Sequence, residues 1–411
     1  MIKRQEKEYM QKLQERKDRL MGNKIKLEIS EPIVISQAKE DIKTWGCWQF
    51  PLIERFPDGM LYVSFQVVVD SAVAYGKQRE QAISYDNGDT WEDGVVFRKY
   101  DDFIGLFGAT LNNGDRFEVV QKNAIPAESI KLPSPIDEAK PYGTRITIYD
   151  AKDFPEETKG WYFLRLPKGS DKWEMEQAVV DFPGEARYSC DGLIPIPFLW
   201  RMRKAPDGKL WGVHYDFMIG GGCPAYLMRA IFLVSEDNGR TWKYRSEIPY
   251  IGNKEIDPHS DKRDGFTEPN ITFMPDGSIY CLLRTSDGNG KGPMYWSRST
   301  DDGYTWSKPE YFDDRGVWPS IITLNNGVTL ASYGRPGVYL RATGDPSGFE
   351  WDDRYEILAP DSSGKVNTCS YTEMVEIDDN TAYLVYSDFF YPDGEGNRRK
   401  TILGRKIVVH K

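Results

Sequence analysis

One eight-residue phrase recurs three times along this chain, and the recurrence restricts what it can fold into. Ser84–Trp91 reads SYDNGDTW, Ser235–Trp242 reads SEDNGRTW and Ser299–Trp306 reads STDDGYTW, all of the form S-x-D-x-G-x-T-W. A phrase this long, repeated three times, marks an internally repeated architecture. Each copy carries the chemistry of a tight turn. The Asp accepts hydrogen bonds from backbone N–H groups a few residues on, the Gly permits a positive φ, and Thr and Trp restart a strand, with the indole covering the turn. Asp86, Asp237 and Asp301 are therefore expected to hold turns and to do no chemistry.

A second repeat is an apolar strand, a turn of Asp-Gly or Asn-Gly type, and another apolar strand. It occurs at 51–65, 108–120, 204–215, 270–284, 320–335 and 374–388. This is the strongest short-range hairpin signal. Trp91, Trp173, Trp242, Trp306 and Trp351 close most of the units; two of them end degraded phrases, GSDKW (169–173) and TGDPSGFEW (343–351). With about 30 N-terminal residues set aside, six units share roughly 380 residues, about 63 each, which suits four-stranded blades. The expected fold is all-β, a six-bladed β-propeller over residues 24–411. The last unit is one strand short, and the alternating stretch 24–36 is expected to supply its outer strand, leaving no open edge. Residues 1–23 read as a charged helix ended near Gly22, expected to dock on the propeller, to pair two copies of the chain or to stand solvated.

Net charge is −10 and no basic stripe occurs, which argues against nucleic-acid binding. Three His and five widely spaced Cys offer no metal-ligand pattern, so no metal or cofactor is expected. No apolar run is long enough for a membrane helix. The free thiols and the lack of a secretory signal point to the cytoplasm.

In a propeller the ends of the innermost strands converge on one pocket, so polar residues at hairpin ends are the candidates for chemistry. Glu268 opens TEPNITFMPDGSIYCLLRT and Arg284 closes it; Arg335 follows the fifth hairpin in SYGRPG, with Arg341 a competitor nearby; Tyr371 precedes the sixth in CSYTEMVEI. Asp70 lies in the VVVDSAVAYG loop, Gln49 and Trp48 stand at the start of the first hairpin, and Gln66, Gln121 and His214 end second strands.

These segments resemble the sialidase superfamily, whose Asp-box matches the thrice-repeated phrase and sits on the outer rim. The resemblance covers nearly the whole chain. It implies that Tyr371 is the nucleophile, Glu268 its base and Asp70 the general acid/base, with Arg284 and Arg335 holding a substrate carboxylate. Tyrosine nucleophiles are a recognised exception to the two-carboxylate rule. The chain departs from the family where an Arg-Ile-Pro segment is expected: Gln49 stands at the Arg position and lacks its charge. Trp48 would stack on a sugar ring, and His214 would bind hydroxyls or transfer protons.

The leading expectation is a glycoside hydrolase acting on a terminal, acidic sugar of a glycan. One alternative is a lyase or other glycosidase for uronate- or rhamnose-containing glycans, using His214 and Tyr371. Another is a non-catalytic glycan-binding propeller. A Tyr371–Glu268 hydrogen bond would favour hydrolysis; a His214–Tyr371 contact would favour the lyase.

Overall fold

The computed structural model describes residues 25–97, 99–286 and 292–410. The helix expected over 1–23 lies outside them. Every regular element among the described residues is a strand or a single 3-10 turn, and none is a helix long and apolar enough to cross a membrane.

The strands fall in chain order into four-stranded antiparallel units, the second and third joined into one eight-stranded sheet by parallel pairing of their fourth strands. The first is Gln49–Arg55, Leu61–Gln66, Glu80–Ser84 and Glu92–Asp93. The second is Phe103–Thr110, Arg116–Lys122, Trp161–Leu166 and Glu174–Asp181. The third is Arg201–Lys204, Leu210–Asp216, Arg229–Ser235 and Thr241–Ile248. The fourth is Gly265–Phe273, Ile279–Ser286, Met294–Ser299 and Glu310–Asp313. The fifth is Val317–Thr323, Thr329–Gly334, Val338–Thr343 and Tyr355–Leu358.

The sixth has Glu373–Asp378, Thr381–Pro392 and Arg398–His410. Its outer side is supplied by the other end of the chain. Lys26–Ile29 and then Ile33–Gln37 pair antiparallel with Arg398–His410, where the alternation of 24–36 asked for a partner. The first strand of each unit lies against the first strand of the next, and the sixth returns to the first.

The units are not equal shares of the chain. Between the second and third strands of unit two, and after its fourth, the chain builds an additional five-stranded sheet from Ile125–Pro126, Asp137–Ala139, Ile146–Asp150, Ala186–Cys190 and Leu193–Ile194. This insertion repeats nothing else in the sequence, so periodicity could not announce it.

The Ser, Asp and Thr of the repeated phrase bond the same way each time, at the turn from third to fourth strand, while Trp306 alone turns its indole N–H to Ser246. The Ser hydroxyl donates to the Asp Oδ1 at 2.8 Å for Asp86 and Asp301 and 2.9 Å for Asp237. The Thr N–H donates to the same oxygen at 2.9 Å in all three, and the Thr hydroxyl donates to Oδ2. The Trp91 and Trp242 indoles donate to the Gly88 and Gly239 carbonyls. In the degraded copy at 343–351, Trp351 makes the same bond to Gly348; in GSDKW the turn is held by Ser170 instead.

Each box glycine also touches its neighbour. A Cβ on Gly88, Gly239, Gly303 or Gly348 would stand 2.1, 2.2, 2.2 or 2.9 Å from the rings of Tyr383, Phe117, Trp211 and Tyr280 respectively. Those aromatics all lie on the second strand of the preceding unit. The glycine is needed for its positive φ (+74° at Gly303) and because a ring occupies the space a side chain would fill.

Two outcomes follow for the boxes. Gly303→Ala should destabilise the fold by about 2 kcal/mol or more through backbone strain and overpacking against Trp211; an unchanged urea midpoint would remove the docking role. The carboxyls of Asp86 and Asp301 are lowered to about 2, first by the Thr hydroxyl, then by the Thr N–H and the Ser hydroxyl. A depressed carboxyl adds stability above its unfolded value and loses it as pH falls through its folded one. The melting-temperature deficit of Asp301→Ala should therefore be full at neutral pH and shrink between about pH 4 and about pH 2.

Candidate active site

The first strands of units one, four and five share a device. Phe50, Glu268 and Trp318 have positive φ values of 55°, 50° and 42°, each is followed by Pro, and each sits where the register with the second strand shifts. The sequences are QFPLI, TEPNI and VWPSI. The Pro brings no N–H to the ladder, so it tolerates the bulge, and the left-handed residue before it turns its side chain out of the sheet. All three side chains line one cavity of about 570 Å³.

A second rule places the opposite ends of the hairpins. Gln66, Gln121, Tyr215 and Arg284 stand seven residues after the turn glycines Gly59, Gly114, Gly208 and Gly277, and all four line the same cavity. In unit five that position is Gly334, and Arg335 follows it with φ +65°.

Glu268 is the centre of the site. It is 2% exposed. Its Oε1 accepts from Arg284 Nη1 and from Tyr371 Oη, both at 2.5 Å, and its Oε2 accepts from the Trp318 N–H at 2.7 Å. Burial pushes its pKa up, but the Arg284 charge and these three hydrogen bonds outweigh burial and hold the carboxyl below its ordinary value. Burial, then Glu268, drives the Tyr371 phenol well above its ordinary range. The pair is thus a neutral phenol donating to an ionised carboxylate. The Tyr371 ring is wedged between Trp318, stacked at 4.6 Å and 9°, and the edge of Phe50 at 4.6 Å.

Asp70 and Arg335 share an organiser that the sequence reading passed over. Trp45 Nε1 donates to Asp70 Oδ2 at 2.9 Å, and the Arg335 guanidinium lies 5.5 Å from the Trp45 ring centre. Asp70 is exposed at the rim of the cavity, yet burial among its walls raises its pKa, against the Trp45 hydrogen bond and Arg335 and together with Glu268. Solvent at the rim screens these effects. Arg335 donates to the Cys369 carbonyl at 2.7 Å. Arg79, also on the wall, donates to the Phe50 carbonyl and to Ser64. Burial lowers its pKa to about 10. Among the described residues neither guanidinium has a carboxylate bonded to it.

The inserted sheet closes one side. Tyr142, Tyr188 and Asp191 from it line the cavity. The Tyr142 ring lies 5.6 Å from the Arg284 guanidinium, and its N–H donates to Asp264 at 3.0 Å.

Glu268, Arg284, Arg335, Tyr371 and Asp70 thus meet in one cavity, while four other candidates do not. Gln49 is fully buried and neither amide atom finds a partner; the residue in register with Glu268 is Phe50, one position on. His214 is one residue short of the cavity-facing register, held by Tyr215. In a strand that single step turns the side chain to the other face. It packs against Trp161 and lies 3.7 Å from Asp216, away from Tyr371. Trp48 bonds Ser36 and packs on Phe65. Arg341 is spent on the carbonyls of Phe312 and Asp352. The x-x-Pro-x-Ile recurrence was the available signal for Phe50 and Trp318.

No family model and none of the curated proteins matches the chain. Solved structures match its fold. A protein of unknown function from Dyadobacter fermentans aligns with a TM-score of 0.64 at 18% identity, over 93% of this chain and 99% of that one. A mutant of the NanB sialidase from Streptococcus pneumoniae aligns with a TM-score of 0.53 at 14% identity, over 92% and 71%. The α-L-arabinanase of Penicillium chrysogenum, complexed with arabinobiose, aligns with a TM-score of 0.52 at 16% identity, over 92% and 98%. The class so defined is an all-β protein of the propeller fold that sialidase and arabinanase structures share.

Because the Trp45 N–H stabilises the ionised form of Asp70, Trp45→Phe should raise the Asp70 pKa further. Carboxyl-carbon NMR titration, with Asp70→Asn to assign the resonance, measures it; an unchanged or lower value would contradict the role given to Trp45.

Proposed function

We propose that this chain is a retaining glycoside hydrolase built on a six-bladed propeller and acting on the terminal, acidic sugar of a glycan. The observation that carries the reading is the 2.5 Å hydrogen bond from Tyr371 Oη to Glu268 Oε1 beside Arg284 in an open cavity. In this reading the phenol oxygen attacks the anomeric carbon while its proton passes to Glu268. Asp70, whose raised pKa favours the protonated acid, gives its proton to the leaving oxygen. Water then attacks the anomeric carbon and returns a proton to Asp70, as Tyr371 leaves and recovers its own from Glu268.

The acidic sugar is supported by charge. Arg335 and Arg79 present guanidinium groups to the cavity without a carboxylate partner, and a buried cation is costly until an anion meets it. Arg284 is already matched by Glu268. With the uncharged Gln49 at the position where the resemblance expects an arginine, and buried away from the cavity while Phe50 lines it, ordinary sialosides are expected to be poorer substrates than another acidic sugar. The lyase reading needed His214 beside Tyr371, and the two do not touch.

A panel of aryl glycosides (a sialoside, a glucuronide, an α-L-arabinofuranoside) tests the reading, with unsaturated-product absorbance followed in parallel. Tyr371→Phe should lower kcat by about 10³-fold or more with folding intact, because only the attacking oxygen is lost. A fluorinated glycosyl fluoride of the preferred sugar should transfer its glycosyl group to Tyr371 with loss of HF, adding the reagent's mass less HF to the peptide that carries it. Turnover that survives Tyr371→Phe would refute the nucleophile, and binding of acidic sugars without turnover would make the chain a glycan-binding propeller.

A further inference from the structure

Trp318 touches both halves of the Tyr371–Glu268 pair through different parts of itself. Its backbone N–H occupies Glu268 Oε2 at 2.7 Å, which leaves Oε1 for the phenol. Its indole lies nearly parallel to the Tyr371 ring, 4.6 Å away and tilted by 9°. A bulky aromatic at φ +42° is a strained conformation that persists only where surroundings over-determine it. Those surroundings are present. The Pro319 carbonyl accepts from Asn270 Nδ2 at 3.0 Å and Arg201 Nη2 at 3.3 Å. The Arg201 guanidinium also packs over the Trp318 indole at 4.4 Å.

Arg201 is itself 2% exposed and paired with Glu373. Glu373 takes Arg203 at 3.0 Å on its other oxygen and lies two residues beyond Tyr371. One buried ion cluster therefore braces unit three against the Trp318 bulge of unit five and the Tyr371 segment of unit six.

We propose that Trp318 is a positioning residue: it fixes the plane of the Tyr371 phenol and the rotation of the Glu268 carboxylate so that Oη meets Oε1, with Arg201 bracing it from below. This rests on the hydrolase reading above. A loosely held phenol would still bind beside substrate but would seldom present its oxygen and lose its proton together, so the effect belongs in kcat.

The test compares Trp318→Leu, which keeps the backbone N–H and an apolar side chain but loses the flat face, with Trp318→Phe, which keeps a ring. On the aryl glycoside that the wild type cleaves fastest, Trp318→Leu should lower kcat by about tenfold to a hundredfold, the scale of a misplacement near 1 Å. Its KM should stay within about threefold, and Trp318→Phe should recover most of the loss. Crystal structures give an activity-free measure: the Tyr371 Oη–Glu268 Oε1 separation should exceed about 3.5 Å, beyond hydrogen-bond reach, in the Leu variant and not in the Phe variant. A Leu variant with the hydrogen bond intact, or with its loss carried by KM, would overturn the proposal. If Trp318→Leu does not fold, Trp318→Met is read in the same two ways. Wild-type protein inactive on every glycoside would defeat the hydrolase reading, while the two crystal structures still decide the positioning role.

Discussion

The contact on which the rest of this molecule depends is a glycine backbone pressed against an aromatic ring. At four places the turn between third and fourth strands docks its glycine on the second-strand Tyr, Phe or Trp of the unit before it. The Asp of each box holds the turn in the shape that makes the glycine available, and the ring excludes any side chain there. Each dock sets the angle between neighbouring sheets. Because first strands then follow one another around a closed path, hairpin ends far apart in sequence arrive at a single cavity.

That geometry explains why the candidate chemistry needs several units at once. Glu268 and Arg284 belong to the fourth, the Trp318 N–H to the fifth and the Tyr371 hydroxyl to the sixth, and all end on one carboxylate. The bulge before Pro is the local device that makes this convergence possible. A strand in regular alternation would send these side chains into the sheet-to-sheet packing, as it does Gln49. A residue in the left-handed region redirects them toward the axis at a conformational cost that the surrounding packing offsets. The function proposed here draws on that convergence; the fold alone, shared with proteins that act on different sugars, does not select a substrate.

Much of the architecture was legible in the chain because it is local and repeated. The boxes and the hairpins at Asp-Gly and Asn-Gly turns are read within a dozen residues, and the structure forms each hairpin where the phrase stands. The candidates that meet in the cavity were legible for the same reason: Glu268, Arg284, Gln66 and Gln121 lie at hairpin ends, and Arg335, Tyr371 and Asp70 within a few residues of one. The failures are failures of register. Gln49 and His214 each miss the cavity by one residue, which in a strand means the opposite face. Trp45, not Trp48, reaches the cavity, and nothing short of the loop's path distinguishes two tryptophans three residues apart. The inserted sheet and its Tyr142 wall leave no periodic trace, and Arg79, just before Glu80–Ser84, stands outside the hairpin-end pattern.

The pairing of Lys26–Ile29 with Arg398–His410 bears on how the molecule comes into being on the ribosome. Arg398–His410 lies between Thr381–Pro392 on one side and the N-terminal strands on the other. The N-terminal strands emerge hundreds of residues before their partner and must wait, their backbone hydrogen-bonding groups open to any other strand that passes. Their alternation of half-buried with exposed positions and the charges of Lys26 and Glu28 are the kind of composition that discourages such premature pairing. Nascent chains released before residue 398 would carry a complete set of boxes and an unsealed ring, which makes this seam the point where quality control of the growing protein has something to recognise.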